Sequence, residues 1–329
     1  MPDTIVLQPR FSVLYTALKR ILLVVWLLQG LPALAFKDTD QNGNDTMIFV
    51  SDTQAPLFVE RLIHRTPFNR TATGLIFDDI LGKRPQQVFL LGDVVAAGSK
   101  PARWTRVDRF LDSIRKDKGA VWACLGNHEY LYSAKAGVSA FQKRFPGHSK
   151  TGYYIIRDSV AVVLLNSNLS RLTTEEQRRQ EAFYQEALST LDRNDSVRVI
   201  IVACHHAPYS NSKVVGSNLK VREQFAVPFL QTKKGLLFLS GHSHNFEHFR
   251  IGGKTFLVIG GGGGIRQHLN TGADRIECEN DGCHPAFHYL MVKRQVAALQ
   301  ITCRALKDDL SAFENVLSLT INGAHAASR

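Results

Sequence analysis

The stretch Ala120-Val121-Trp122-Ala123-Cys124-Leu125-Gly126-Asn127-His128-Glu129 decides how this chain is read. Its first six residues are apolar, as in a strand buried on both faces. It then breaks at glycine and delivers an amide, an imidazole and a carboxylate in succession. The same pattern recurs four more times in fixed order. Residues 47–50 run into Ser51-Asp52-Thr53-Gln54, and 88–91 into Gly92-Asp93. Residues 197–203 run towards His205-His206, and 236–239 towards Gly241-His242-Ser243-His244. Strands that end in Asp, Asn and His along one edge of an open sheet gather donors outside their carboxyl ends.

The donor types narrow the chemistry. Asp, Asn and His without a motif cysteine suit Zn, Mn or Fe. Two such ions, about 3.5–4 Å apart, can activate water and clamp a phosphoryl group during in-line displacement. Each motif alone is weak: Gly-Asp is usually a turn, and Asp52 before Ala55-Pro56 would serve as a helix N-cap. The reading rests on five motifs in order, each at the end of an apolar run.

That order resembles the calcineurin-like metallophosphoesterases, whose pattern runs D-x-H, G-D, G-N-H-[DE], a lone His, and G-H-x-H. The resemblance spans Asp52 to His244 and reaches His288 in Phe287-His288-Tyr289-Leu290; it extends distantly to the purple acid phosphatases. It implies an α/β fold in one domain, a two-sheet β-sandwich flanked by helices. It also implies two divalent or trivalent metal ions and hydrolysis of phosphate esters through a metal-bound hydroxide. Carried over residue by residue, Asp93 bridges the metals, Asp52 and His244 serve the first, and Asn127, His205 and His242 serve the second. His128 stands by the leaving group as hydrogen-bond donor or general acid, and Glu129 orients it beside the substrate.

The chain departs from the family where D-x-H has its second His, because Gln54 stands there. Strand alternation places residues 52 and 54 on one face, so Gln54 can still point at the metal. Its neutral amide oxygen is a weaker ligand than imidazole. The tyrosine that purple acid phosphatases supply three residues after the G-D aspartate is Ala96 here. A weak, exchangeable first site is therefore expected. The segment Cys204-His205-His206-Ala207-Pro208-Tyr209-Ser210 fits the family's H-H-P-P-[YF]-S form, which makes His205 the ligand and leaves His206 lining the pocket. The family's H-x-P form would make His206 the ligand instead.

Other phosphate motifs fail. Gly252-Gly253-Lys254-Thr255 lacks the distal glycine of a P-loop, where His248 stands. The run Gly260–Gly264 opens no amphipathic helix, so it reads as backbone that must pass close to something, or as a flexible loop.

With 329 residues, 44% of them hydrophobic, the chain can bury a full core. Arg10, Lys19 and Arg20 precede the apolar stretch 21–28, followed by Ala33-Leu34-Ala35. That is the form of a secretory signal over residues 1–35, with a periplasmic or secreted product; an uncleaved membrane anchor is the alternative. Residues 36–46 read as a polar linker, 47–305 as the metallophosphoesterase domain and 306–329 as a C-terminal extension. Removing the signal would take two net charges from +11 and leave +9. That balance favours a small phosphorylated substrate and loose association with an anionic envelope. The basic residues are not clustered with aromatics, so no dedicated nucleic-acid surface is indicated. Cys278 and Cys283 are close enough for a small disulfide, while Cys124 and Cys204 read as buried thiols.

Apolar residues at helical spacing predict helices near 103–118 and over 174–191, the latter started by the box Thr174-Glu175-Glu176-Gln177. Strands 153–156 and 160–165 read as a hairpin, and the chain after His244 turns mostly to strands. Phosphomonoester hydrolysis is the favoured activity. A phosphodiesterase or nucleotidase would use the same metal core, and a decayed, non-catalytic binding protein is the rival that Gln54 supports.

Overall fold

The computed structural model describes residues 36–38, 46–57, 68–295 and 298–322. The expected secretory signal lies outside the described residues, as does His64. Two mixed sheets stack face to face. The first orders its strands β14-β13-β12-β2-β3-β4. It contains β2 (Thr46–Val50), β3 (Gln87–Leu90), β4 (Ala120–Ala123), β12 (Phe287–Gln295), β13 (Ala298–Leu306) and β14 (Phe313–Asn322). The second orders its strands β1-β5-β6-β7-β8-β10-β9-β11. It is built from β1 (Phe36–Asp38), β5 (Tyr153–Arg157), β6 (Val160–Leu164), β7 (Val199–Ala203), β8 (Gly235–Ser240), β9 (Phe246–Ile251), β10 (Lys254–Ile259) and β11 (Cys283–His284).

Strand alternation divides the apolar residues between two layers of core. Phe49, Phe89, Ile155, Val162, Ile201, Leu239, Leu290 and Ile301 fill the space between the sheets. Their neighbours on the opposite faces meet helices. Ile48, Val50, Val88 and Leu90 pack with α1 (Asn69–Gly82), α2 (Pro101–Lys116) and α3 (Ala134–Arg144). Ala161, Val163, Ile200 and Val202 pack with α4 (Thr174–Arg193). The central strands are buried on both faces, which is why they read as unbroken apolar runs.

Local details differ from the sequence reading. The capping box of α4 is Thr173 with Glu176, one residue earlier than expected: Thr173 Oγ1 accepts from the Glu176 N–H at 3.2 Å and Glu176 Oε2 accepts from the Thr173 N–H at 2.8 Å. Residues 313–322, assigned to an extension, form β14, the edge strand on β13. All but one of its residues are exposed or only partly buried, so its alternation is too shallow to read as a strand. Phe36–Asp38, assigned to the linker, pairs in parallel with β5. Cys278 and Cys283 are disulfide-bonded, and Cys124, Cys204 and Cys303 are free and buried. Among the described residues no helix is long and apolar enough to cross a membrane.

Candidate active site

β2, β3 and β4 run parallel in one sheet, and β7 and β8 run parallel in the other. Their carboxyl ends deliver Asp52 and Gln54, Asp93, Asn127 and His128, His205, and the pair His242 and His244 to one place. The chain must turn sharply as each strand ends. Asp52, Asp93 and His242 hold φ at 60°, 47° and 66°. That left-handed region is costly for residues with a Cβ, and such strain gathers at functional sites. The turns are fixed from both sides: Asp52 N–H donates to Gly92 O at 3.1 Å, and Gln54 N–H to Asp93 O at 3.1 Å. Glycine is required where they touch. A Cβ on Gly126 would stand 2.2 Å from Asp93 N, and one on Gly264 would stand 2.5 Å from the His244 ring. The glycine run 260–264 is thus backbone packed against the site floor.

The donor atoms converge. Those of Asp52, Asp93 and His205 lie within 4.8 Å of one another, as do those of His205, His206 and His242. His205 Nε2 is 3.1 Å from Asn127 Oδ1 and 3.4 Å from Asp93 Oδ2. His244 Nε2 is 3.4 Å from Asp52 Oδ1. Asp52 Oδ2 accepts from the His242 N–H at 2.9 Å, whereas the buried Oδ1 has no hydrogen-bond partner.

Carbonyl oxygens set the tautomers. His205 Nδ1 donates to Leu91 O at 3.0 Å, His244 Nδ1 to Ile265 O at 2.8 Å and His128 Nδ1 to Ala96 O at 3.0 Å. A carbonyl can only accept, so Nδ1 carries a proton in each ring, and Nε2 is the nitrogen that faces the centre. The hydrogen-bond network also orients the Gln54 amide: its nitrogen donates to Asp52 O at 3.0 Å and Asp93 O at 2.8 Å, which turns Oε1 to His244 Nε2 at 3.3 Å. Carboxylate and amide oxygens and ring nitrogens that converge on one buried space are the arrangement a cation satisfies.

Electrostatics agree. Burial opposes ionisation of Asp93, but His205 and His128 outweigh it and hold its carboxyl far below the usual range. Burial likewise opposes charge on His205, yet Asp93 and Asp52 push it up to about 9. Burial, and then the charge of His205, pushes His206 down to about 3 and His242 down to about 2, so both present neutral imidazoles.

The structure brings together Asp52, Gln54, Asp93, Asn127, His128, His205, His206, His242 and His244. His205 is fully buried between Asn127 and Asp93, while His206 is turned by Ser167, whose Oγ is 2.8 Å from its Nδ1. Glu129 is a correction. It was expected to orient His128 beside the substrate, but it is fully buried and accepts from the backbone N–H groups of Asp93 (3.0 Å), Val94 (2.9 Å), Val95 (3.4 Å) and Gly126 (2.8 Å). It clasps the two motif turns from beneath, and the His128 ring is oriented by Ala96 O instead.

Glu247 was missed. This fully buried carboxylate accepts from Ser243 Oγ (2.6 Å), Ser210 Oγ (2.8 Å) and the Asn211 N–H (2.5 Å). It ties the loop carrying His242 and His244 to the loop after His205. A glutamate inside the strand 246–251 was its only sequence signal. Asn69, at the start of α1, was missed too; its Nδ2 donates to Gly263 O (2.8 Å) and Gly264 O (2.9 Å).

A family model described as calcineurin-like phosphoesterase matches residues 46–246. Among solved structures the chain is similar to a purple acid phosphatase from yellow lupin seeds. The TM-score is 0.64 at 17% identity, covering 87% of this chain but 55% of the lupin chain, about half its length. It is similar to GAP50, the anchor in the inner membrane complex of Plasmodium, with TM-score 0.62 and 11% identity over 85% of this chain and 89% of that one. It is also similar to a dimetal phosphatase from Danio rerio, with TM-score 0.54 and 16% identity over 84% and 98% of the two chains. At these identities the likeness is one of fold. No protein of curated function matches by sequence. The matched segment carries all five strand-end motifs and spans more than half of the residues, so this chain belongs to the calcineurin-like phosphoesterase family.

Proposed function

We propose that this chain is a metal-dependent hydrolase of phosphate monoesters, with a small phosphorylated substrate. One observation carries the reading. Carboxylates, an amide oxygen and ring nitrogens point at one buried space, and Asp52 Oδ1 is left there without a hydrogen-bond partner. Burying a carboxylate oxygen unpaired is costly unless a cation compensates it.

The residues fit a two-metal centre. Asp52, the Gln54 amide oxygen and His244 would hold one ion, Asn127, His205 and His242 the other, with Asp93 shared between them. When bound, such ions stabilise charge on the phosphoryl oxygens and lower the pKa of an attacking water. The chain's own groups do the rest. Ala96 O fixes the His128 ring with Nε2 towards the centre, 3.7 Å from Asp93 Oδ2, and His128 keeps a partly open face. A proton on that nitrogen is placed for donation to the departing alcohol oxygen. His206, neutral and held by Ser167, borders the space as a substrate contact. Support for monoesters comes from the excess of positive charge and from the lack of aromatic–basic clustering that a polymeric diester would favour. The signal-like residues 1–35 support a periplasmic or secreted site of action, and the positive charge would suit loose association with an anionic envelope.

A second reading is a non-catalytic protein on the same fold, favoured by Gln54 and by the likeness to an anchor protein. Metal content by mass spectrometry, with hydrolysis of a nitrophenyl monoester and a bis-nitrophenyl diester, separates the readings. Near two metals with faster monoester turnover is expected. Faster diester turnover would reassign the substrate class. No turnover on either ester with added Mn, Zn or Fe would leave the non-catalytic reading.

A further inference from the structure

A cleft of about 270 Å³ lies between the beginnings of α1 and α2, and its wall includes Gln54 and Ala96. Those two residues also touch the metal-binding space, Gln54 through His244 and Ala96 through His128. The cleft is therefore one residue removed from the centre. Its other conspicuous lining is arginine: Arg70 from α1, and Arg103, Arg106 and Arg109 from α2.

Arginines three residues apart are usually a solvated helix face, and their surroundings decide otherwise here. Several basic groups elsewhere on the surface are paired with acids: Arg179 with Glu175 at 2.9 Å and Lys150 with Glu176 at 2.7 Å. On α2 itself Asp108 is taken by Arg144, at 2.5 and 2.8 Å. Among the described residues no carboxylate forms an ion pair with Arg70, Arg103, Arg106 or Arg109. Arg106 instead donates to the Arg70 backbone carbonyl, which ties α2 to the start of α1 at this cleft. Burial, and then the charge of Arg70, lowers the pKa of Arg106 and outweighs the opposing charge of Asp78, the direction expected where positive charge is crowded. Guanidinium forks match phosphate oxygens in bidentate pairs. The volume is at the small end for ligand pockets, enough for a phosphate or diphosphate group and too small for a chain of nucleotides.

We infer that this cleft is a second anion subsite, which binds a phosphate or diphosphate group through Arg70, Arg103, Arg106 and Arg109 beside the metal centre. The group has two sources: a second phosphate on the ester being cleaved, or a free inorganic anion acting across Gln54. The first source rests on the phosphoesterase reading, and the subsite itself does not.

The test uses the full chain and inorganic pyrophosphate, followed by calorimetry. Arg103→Ser with Arg106→Ser is expected to remove one binding site, or to weaken it at least tenfold, relative to the parent chain. That difference is read whether or not the metal centre is loaded, so a failure of the phosphoesterase reading leaves it intact. Equal stoichiometry and affinity in parent and variant would overturn the inference. Both positions are exposed; should the double variant unfold, Arg70→Ser alone is expected to give the same loss. The sources then separate by kinetics. If the substrate carries the group, the double variant raises KM for a hexose bisphosphate and leaves nitrophenyl phosphate unchanged. If the anion is free, pyrophosphate alters nitrophenyl phosphate turnover in the parent and not in the variant.

Discussion

The Gln54 amide oxygen faces His244 Nε2 at 3.3 Å, with the amide nitrogen committed to the carbonyls of Asp52 and Asp93. The amide cannot rotate to relieve this without losing two hydrogen bonds, so its oxygen is held as a donor towards the first metal position. It is a harder and weaker donor than the imidazole the family places there. Gln54→His should tighten metal binding at that position by about tenfold, or about 1.4 kcal/mol. Calorimetric titration of metal-stripped protein with Zn measures it, and equal affinities would mean that Gln54 is not a ligand.

His128 lies outside the proposed ligand set, but its Nε2 faces the same space. His128→Ala should lower kcat by about 10²–10⁴, the range for loss of a general acid, with metal content unchanged. Unaltered turnover would remove His128 from the mechanism. Loss of metal together with turnover would recast it as part of the metal site.

Glu247 joins two motif loops through three hydrogen bonds. Glu247→Ala leaves those donors buried and unpaired, and should cost about 3 kcal/mol of stability. Because the loops carry His205, His242 and His244, metal affinity should also fall, by about 10–100-fold as for other outer-shell partners. Glu247→Gln, which keeps the shape and one acceptor, should fall between. Melting curves with metal titrations of both variants check this; a stability loss without any change in metal affinity would confine Glu247 to a structural role.

Away from the site, His148 packs edge-on against Phe141 and Tyr153, and burial pushes its pKa from 6.5 down to about 4. Between those values the unfolded chain binds more protons than the folded one, so stability rises with pH. The contribution is complete above pH 6.5 and is lost as pH falls towards 4, up to about 3 kcal/mol. His148→Phe should flatten the melting temperature across that window relative to the parent chain. Parallel profiles for the two proteins would show that His148 does not carry this dependence.

The central strands and the motif order were legible because both depend on short-range pattern. A strand buried on two faces must be apolar throughout, and a donor set at a strand end must follow it directly. β14 was not legible, since an edge strand with one wet face carries little alternation. α1 and α3 were missed as well. α1 starts at Asn69, whose side chain is spent on Gly263 and Gly264 rather than on a cap of its own helix.

By itself the sequence determined the sheet-ending motifs, the types of donor atom and the Gln54 departure, because these are local chemistry. It could not assign Glu129, three residues after Gly126, since its partners on Asp93, Val94 and Val95 arrive from another strand. Nor could it find Glu247, or the approach of Arg70 on one helix to Arg106 on the next. Those relationships join residues 34 to 37 positions apart, apart from the local Ser243 bond. Only the pairing of strands into sheets and the packing of helices on them closes such distances, and so the tertiary structure decided which way each motif's side chains point.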